Sequence, residues 1–152
     1  MSINWVMQKD GNPVELPQET FVSSYMRVSF DLSCPHGKLA GEGKLYLSRK
    51  RLVFLPSNQA TYHVNNKGDK EFRDFAVALN QIYGASVVQP WFGPNKWQSD
   101  IRPVVGGGLE PDNQLWQLNL TFKDGGVFEF SSRMAALIEE EQRKDELPEY
   151  RP

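Results

Sequence analysis

Three residues with nucleophilic or metal-binding side chains stand in the first half of the chain. Cys34 and His36 lie two positions apart, and His63 follows later. A catalytic thiol needs a base within hydrogen-bond reach, and a structural zinc site needs about four ligands at characteristic spacings. The chain offers one cysteine and two histidines, with no acid, base and nucleophile marked out by spacing. We therefore predict no catalytic residues, no metal site and no cofactor, and we expect a protein that is not an enzyme.

A run of cations could bind an anionic group. Arg49, Lys50 and Arg51 are consecutive, and Lys44 lies five residues before the first of them. Cations near an anionic membrane contribute about 1 kcal/mol each, which predicts weak, salt-sensitive attachment. Since neighbouring strand residues point to opposite faces, Lys44 need not join the other three. Lys44, Arg49, Lys50 and Arg51 are the candidate lipid-binding residues, and an ordinary solvated turn is the favoured alternative.

The apolar pattern around these cations predicts a β-hairpin over Gly43–Pro56. Leu45 and Leu47 alternate with polar residues, as in a strand with one buried face. Val53–Leu55 form a solid apolar run that ends at a proline, as in a strand buried on both faces. The three consecutive cations then occupy the tip of the hairpin.

Two further stretches invite a binding function. Gln89–Trp97 contains Trp91, Phe92 and Trp97 among prolines and a glycine. They could form an aromatic ligand platform or fill the core at a strand corner, and we favour the core because aromatics dominate protein interiors as readily as interfaces. Gly106–Gly108 lacks the spacing, lysine and hydroxyl of a phosphate loop, so a flexible connector is expected.

Composition indicates an ordinary globular domain without a strong electrostatic field. The chain has 152 residues, a net charge of -2 and 24% charged residues. It is long enough to bury a core, and its charge gives no general attraction for nucleic acid. A single cysteine excludes an intramolecular disulfide and fits a reducing compartment. We recognise neither a membrane-spanning stretch nor a secretory signal, so we expect the protein in the cytoplasm and nucleus.

Strand patterns dominate the rest of the chain. The predicted strands outside the hairpin are Tyr25–Leu32, Phe75–Leu79, Ala85–Gln89, Trp97–Val105, Leu115–Phe122 and Val127–Phe130. The first of these alternates with Met26, Val28, Phe30 and Leu32 on one face. Ser33–Glu42 and Ser57–Asp74 are predicted loops.

A helix is predicted at the C-terminal end. Ser131 and Ser132 could cap it, and Met134, Leu137 and Ile138 form one apolar stripe. The resulting fold class is mainly β with one C-terminal helix. Seven or eight strands would form a small barrel or orthogonal sandwich, with the helix covering its open end.

Several motifs in order carry a family resemblance. Gly43-Lys44-Leu45-Tyr46-Leu47-Ser48, followed by Arg51–Leu55, resembles the signature hairpin of GRAM domains, which have the pleckstrin-homology-like fold. Gln89–Gly93, Gly106–Gly108, Leu118–Phe122 with Gly125-Gly126 and Glu129-Phe130, and Arg133-Met134 then resemble the family of WW-domain-binding protein 2. The resemblance covers about residues 20–140.

The resemblance implies an adaptor or transcription co-activator. Family members bind WW domains through Pro-Pro-x-Tyr motifs in a long tail, whereas this chain carries Leu147-Pro148 and Tyr150, with leucine in place of the first proline. Leu147, Pro148 and Tyr150 are therefore the candidate WW-binding residues. Expected partners are WW-domain proteins, such as ubiquitin ligases or transcription regulators, and anionic lipid head groups if the cations bind a membrane surface. Direct binding of nucleic acid is not expected.

The predicted organisation has three parts. Residues 1–24 form an irregular lead-in, residues 25–144 form the GRAM domain, and residues 145–152 form a short tail that carries the Leu-Pro-x-Tyr motif.

Overall fold

The computed structural model describes residues 1–57, 60–64 and 68–146. It contains twelve strands in these ranges, a 3₁₀ turn at Leu79–Gln81 and one α-helix. The strands are β1 Ser2–Ile3, β2 Gln8–Lys9, β3 Asn12–Pro13, β4 Phe21–Cys34, β5 Gly37–Ser48, β6 Arg51–Pro56, β7 Ala60–Val64, β8 Gly68–Phe72, β9 Phe75–Ala78, β10 Ile82–Val88, β11 Lys96–Ile101 and β12 Trp116–Phe122; the helix α1 is Val127–Glu146.

Ten strands form one curled antiparallel sheet, in which eight follow the order β1-β9-β6-β5-β4-β12-β11-β10 and the β7–β8 hairpin branches from β5. The long strand β4 joins its two halves, because it pairs with β5 along its length and with β12 through residues 28–33. The helix α1 packs against β10, β11 and the 3₁₀ turn of this half-barrel. The predicted fold class, mainly β with a C-terminal helix, is confirmed.

The core fills the space between the sheet and the helix. Phe30 contacts the rings of Phe54, Phe72 and Phe75. Trp97 and Phe130 meet edge to face at 5.3 Å between ring centroids, which ties β11 to α1. Aromatic contacts of this geometry add to the stabilisation from burial.

The β5–β6 hairpin is confirmed. Its register pairs Leu47 with Leu52 and Leu45 with Phe54, and all four side chains are buried in the core. Gly43 is required at the far end of the pairing, because a Cβ there would lie 2.1 Å from the carbonyl oxygen of Leu55.

For β4, the prediction of which side chains are buried is correct from Val28 onward and wrong for Met26. Val28, Phe30 and Leu32 are buried, but Met26 is half exposed. The β4–β5 register shifts between Tyr25 and Val28. A bulge of this kind reverses the side that later residues face, so Tyr25 packs against the core in place of Met26.

The segment Val127–Phe130 is the first turn of α1, and its prediction as a strand was wrong. Gly125 and Gly126 have φ of +82° and +99°, and the N–H of Phe130 donates to the carbonyl of Gly126 at 2.9 Å. Val127, Phe130 and Met134 are buried at helical spacing. The apolar stripe of the helix therefore begins one to two turns before Met134. In the sequence, this short apolar segment resembles a strand that returns from the preceding turn.

Two predicted loops were also wrong. The chain reverses in a tight turn at residues 35–36, so most of Ser33–Glu42 belongs to β5. Within Ser57–Asp74, the strands β7 and β8 form a hairpin that also pairs with β5. Both segments are rich in polar residues and lack a sustained period-two apolar pattern, although Leu39 and Phe72 within them are buried in the core.

Candidate functional site

The basic tip, which we define as Ser48–Arg51, is built around the Ser48 hydroxyl. Its Oγ accepts hydrogen bonds from the backbone N–H groups of Lys50 and Arg51, each at 3.1 Å. The same hydroxyl donates to Glu19 Oε2 at 2.8 Å. A local side-chain-to-backbone bond of this kind stabilises the turn without Asn-Gly or Asp-Gly.

Arg51 is held inside the protein by Glu19. Its Nε lies 2.9 Å from Glu19 Oε2, and its Nη2 lies 2.9 Å from Glu19 Oε1. Its Nη2 also donates to the carbonyl of Val14, and its guanidinium lies 5.6 Å from the Phe21 ring centroid. The side chain of Arg51 is 13% exposed and that of Glu19 is 0% exposed. Such a two-bond pair occupies one edge of the guanidinium that a planar anionic ligand could otherwise bind.

The charge of Glu19 is stabilised despite its burial. Burial alone would raise the pKa of this carboxyl. Hydrogen bonds from Arg51, the backbone of Leu16 and Ser48 outweigh that effect, so the pKa lies below its ordinary value. Glu19 therefore remains ionised opposite Arg51 at neutral pH.

The other three cations have different surroundings. Lys50 Nζ donates to the carbonyl of Pro17 at 2.9 Å. Arg49 is 70% exposed, with Nη1 at 3.9 Å from Glu140 on α1. Lys44 is partly buried within β5, away from the turn. Arg49 and Lys50 thus form the exposed part of the basic tip.

The N-terminal segment crosses the outside of the β5–β6 hairpin. Asn12 accepts a hydrogen bond from the Tyr46 hydroxyl at 3.1 Å. Tyr46 pairs with Val53, whose side chain is buried but lies outside the main core cluster. The segment therefore covers a second, smaller apolar surface on the outer face of the sheet.

A second buried carboxylate anchors the same segment. Asp74 accepts a hydrogen bond from the N–H of Val6 at 3.1 Å, and its carbonyl accepts one from the N–H of Asn4. Burial raises the pKa of the Asp74 carboxyl, partly offset by the Val6 bond. Sequence reasoning missed Glu19 and Asp74, because each lies among polar residues and pairs with segments far away in the chain.

The sequence 89–95 forms an exposed loop between β10 and β11, which we call the aromatic loop. Trp91 is 98% exposed and Phe92 is 93% exposed. Trp97, just after the loop, is fully buried. The prediction of a core role is confirmed for Trp97 and wrong for Trp91 and Phe92.

Cys34 and His36 lie at the tight turn between β4 and β5. The Cys34 Sγ accepts hydrogen bonds from the backbone of His36 and from Gln114 Nε2, each at 3.4 Å. No group of three or more His, Cys, Asp or Glu side chains able to hold a metal occurs among the described residues. No helix within these ranges has the length and apolar character needed to cross a membrane.

The candidate WW-binding residues Leu147, Pro148 and Tyr150 lie outside the described residues. The last described residue of α1, Glu146, directly precedes them. The helix is anchored through Phe130 and Met134, and Leu137 and Ile138 pack partly buried against the core.

Comparisons with known proteins agree with the fold. No family model matches the chain. A UPF0664 stress-induced protein of Schizosaccharomyces pombe is 28% identical, over 95% of this chain and 80% of its own length. Human WW domain-binding protein 2 is 25% identical over 94% of this chain. The chain spans 52% of the length of that human relative.

Among solved structures, the Vps36 N-terminal PH domain superposes with a TM-score of 0.63, at 11% sequence identity and over 93% of this chain and 96% of that one. At this identity the likeness concerns the fold alone. The strand order with its C-terminal helix agrees with the two sequence relatives. The chain is a homologue of WW domain-binding protein 2 and of the UPF0664 protein, and it has a pleckstrin-homology-like fold.

Proposed function

We propose that this protein is a non-enzymatic adaptor, similar to a transcription co-activator, that binds WW-domain proteins through Leu147, Pro148 and Tyr150. The observation that carries the proposal is the homology with WW domain-binding protein 2 over 94% of the chain. The motif follows α1 directly in sequence. Since partners of this kind include ubiquitin ligases and transcription regulators, we expect the protein in the cytoplasm and nucleus.

The chemistry of the motif suits a WW groove. Pro148 favours the extended polyproline conformation and thereby lowers the entropy cost of binding. Tyr150 supplies an aromatic ring and a hydroxyl for a groove lined with aromatic side chains. Leu147 replaces the first proline of Pro-Pro-x-Tyr with another apolar side chain.

Binding of the full-length chain to purified, immobilised WW domains tests this function. Tyr150→Ala removes the aromatic anchor, and since such anchors contribute about 2 kcal/mol or more, the affinity should fall more than about tenfold. Glu149→Ala changes the variable position between Pro148 and Tyr150 and serves as the matched control, with affinity retained. Equal binding by wild type and Tyr150→Ala would exclude the motif as the WW ligand.

A second candidate function is attachment to anionic membrane surfaces through the basic tip. The observation that favours it is the exposure of Arg49 and Lys50 at one hairpin end of a pleckstrin-homology-like fold. Because Arg51 is already bonded to Glu19, only these two cations would contact a phosphoinositide head group directly. The attraction would therefore be about 2 kcal/mol, weak and sensitive to salt.

Co-sedimentation with phosphatidylcholine vesicles that contain a phosphoinositide tests this second function at about 0.15 M salt. Arg49→Glu/Lys50→Glu should abolish the pelleted fraction. Lys9→Glu/Arg102→Glu makes the same change of charge at two exposed residues that are not part of the basic tip and should leave pelleting largely intact. If the two double variants pellet alike, the basic tip is not a membrane site.

A further inference from the structure

The aromatic loop presents two large apolar side chains to solvent at its tip. Trp91 and Phe92 are consecutive, and they are the most exposed large apolar residues among those described. Each carries about 150–250 Å² of surface that a folded protein ordinarily buries. Single exposed apolar residues are common on surfaces, but an adjacent Trp-Phe pair with almost no contact to its own protein indicates an interaction site.

The base of the loop is rigid, which keeps the pair exposed. Val88 pairs with Lys96 across the mouth of the loop, and Trp97 is fixed in the core against Phe130. Pro90 and Pro94 restrict the backbone on both sides of the pair. Gly93, with φ of +96°, permits the reversal at the tip. The loop therefore cannot easily fold its aromatic side chains back onto the sheet.

The loop itself carries no charge. Its seven residues, 89–95, contain no Asp, Glu, Lys or Arg. An aromatic tip without charged groups can enter an apolar or interfacial medium without the large cost of removing an ion from water.

The neighbouring turn is electrically balanced. Because Trp97 pairs with Leu120, the aromatic loop lies at the same end of the sheet as the turn that follows β12. There, Lys123 forms an ion pair with Glu42, and Arg27 pairs with Asp124 at 3.0 Å. The two ion pairs therefore balance the charges of this turn.

We propose that the aromatic loop inserts Trp91 and Phe92 into the interfacial layer of a zwitterionic lipid bilayer. Tryptophan is preferred at membrane–water interfaces, where its ring lies among the head groups. A protruding tip needs no complementary pocket in a membrane, whereas a protein partner would have to supply one. The local charge balance explains why the expected lipid is phosphatidylcholine rather than an anionic lipid.

This contact differs from the membrane attachment considered for the basic tip. Aromatic insertion depends on apolar surface and should be nearly independent of salt, whereas cation binding requires anionic lipid and weakens with salt. A single shallow anchor gives only marginal, reversible membrane binding. The loop would therefore add to another interaction of the protein rather than fix it to a membrane alone.

Tryptophan fluorescence of the full-length protein with pure phosphatidylcholine vesicles tests the proposal. Trp97 and Trp116 are buried, so a blue shift and quenching by brominated lipid should report an exposed tryptophan. We expect both signals in wild type at about 0.05 M and 0.5 M salt. Trp91→Ala should lose them, and Phe92→Ala should require several-fold more lipid. Trp5→Ala, which removes the other exposed tryptophan, is the matched control and should retain both signals.

Three outcomes would overturn the proposal. The first is a shift that persists in Trp91→Ala and disappears in Trp5→Ala. The second is a response that needs anionic lipid and is lost in Arg49→Glu/Lys50→Glu, which would support the basic tip instead. The third is no response to vesicles in a wild-type protein that remains folded by circular dichroism, which would leave the loop as a candidate anchor for an apolar pocket in a protein.

Discussion

The basic tip and the aromatic loop each join two antiparallel strands, but their side chains are arranged in opposite ways. In the basic tip, the guanidinium of Arg51 turns inward onto the buried carboxylate of Glu19. In the aromatic loop, the rings of Trp91 and Phe92 turn outward. The charged side chain of Arg51 thus has a structural role in the basic tip. In the aromatic loop, the apolar side chains of Trp91 and Phe92 are available for contact with another molecule.

The difference shows that neighbouring segments decide what a loop can do. The N-terminal segment passes beside the basic tip and supplies Glu19 and the carbonyls of Val14 and Pro17. Glu19 balances the charge of Arg51, and the two carbonyls accept hydrogen bonds from Arg51 and Lys50, whereas the Arg49 side chain is 70% exposed. Exposure and partners, rather than residue type, therefore separate the structural residues from the candidate binding residues.

Replacing the buried Trp97 and the exposed Trp91 by alanine should give the largest difference in stability between two variants. Trp97→Ala leaves a cavity beside Phe130 and should lower the free energy of unfolding by about 4 kcal/mol. The indole N–H of Trp97 has no acceptor among the described residues, so the loss is one of packing. Trp91→Ala should change stability by less than about 0.5 kcal/mol.

Urea unfolding followed by circular dichroism measures both variants of this pair. A loss of more than about 2 kcal/mol in Trp91→Ala would mean that its ring packs against the protein, and the contrast between the two connections would fail. The proposed membrane contact would then lose its structural basis as well.

The two arginine–glutamate pairs of the basic tip should differ by a smaller amount. Glu19→Ala leaves the guanidinium of Arg51 buried without its carboxylate and should cost about 3 kcal/mol. Glu140→Ala removes the partner of the exposed Arg49, and such surface pairs contribute less than about 1 kcal/mol. Chemical denaturation gives both values under the same conditions. Similar losses in the two variants would show that the Glu19–Arg51 pair is not structural.

Much of the sheet could be predicted from local patterns. Alternation identified Val28, Phe30 and Leu32 as core residues, and the apolar run Val53–Leu55 identified a strand that is buried on both faces. These signals are local because a strand with one buried face repeats every two residues. The resemblance in motif order then supplied the topology, which no single strand pattern could specify.

The missed features depend on distant contacts. Glu19 and Arg51 are 32 residues apart in sequence, and no local sequence pattern predicts that they form an ion pair. The first turn of α1 was missed because four residues are too few to distinguish a helical period from a strand. The exposure of Trp91 depends on the position of the whole loop relative to the sheet, which composition does not encode.

The pH dependence of stability tests the Glu19–Arg51 pair most specifically, and the expected effect is the smallest of those considered. Because the pKa of Glu19 is lowered in the folded protein, the unfolded chain binds its proton more readily, so the contribution of Glu19 to stability is present above its unfolded pKa near 4.5. That contribution is lost as the pH falls through the lower folded value. The stability difference between wild type and Glu19→Gln should therefore be constant near neutral pH and shrink below about pH 4.5.

Urea titrations from pH 7 to pH 3 measure this difference, with Val53→Ala as a control that loses buried apolar surface without changing a titrating group. The gap between wild type and Val53→Ala should remain nearly constant over the same range, because both proteins keep Glu19. If the Glu19→Gln gap is equally constant, Glu19 does not stabilise the basic tip as a carboxylate. Arg51 is distinguished from the exposed Arg49 because ionised Glu19 binds its guanidinium donors. Without that carboxylate, the difference between the two arginines would need another cause.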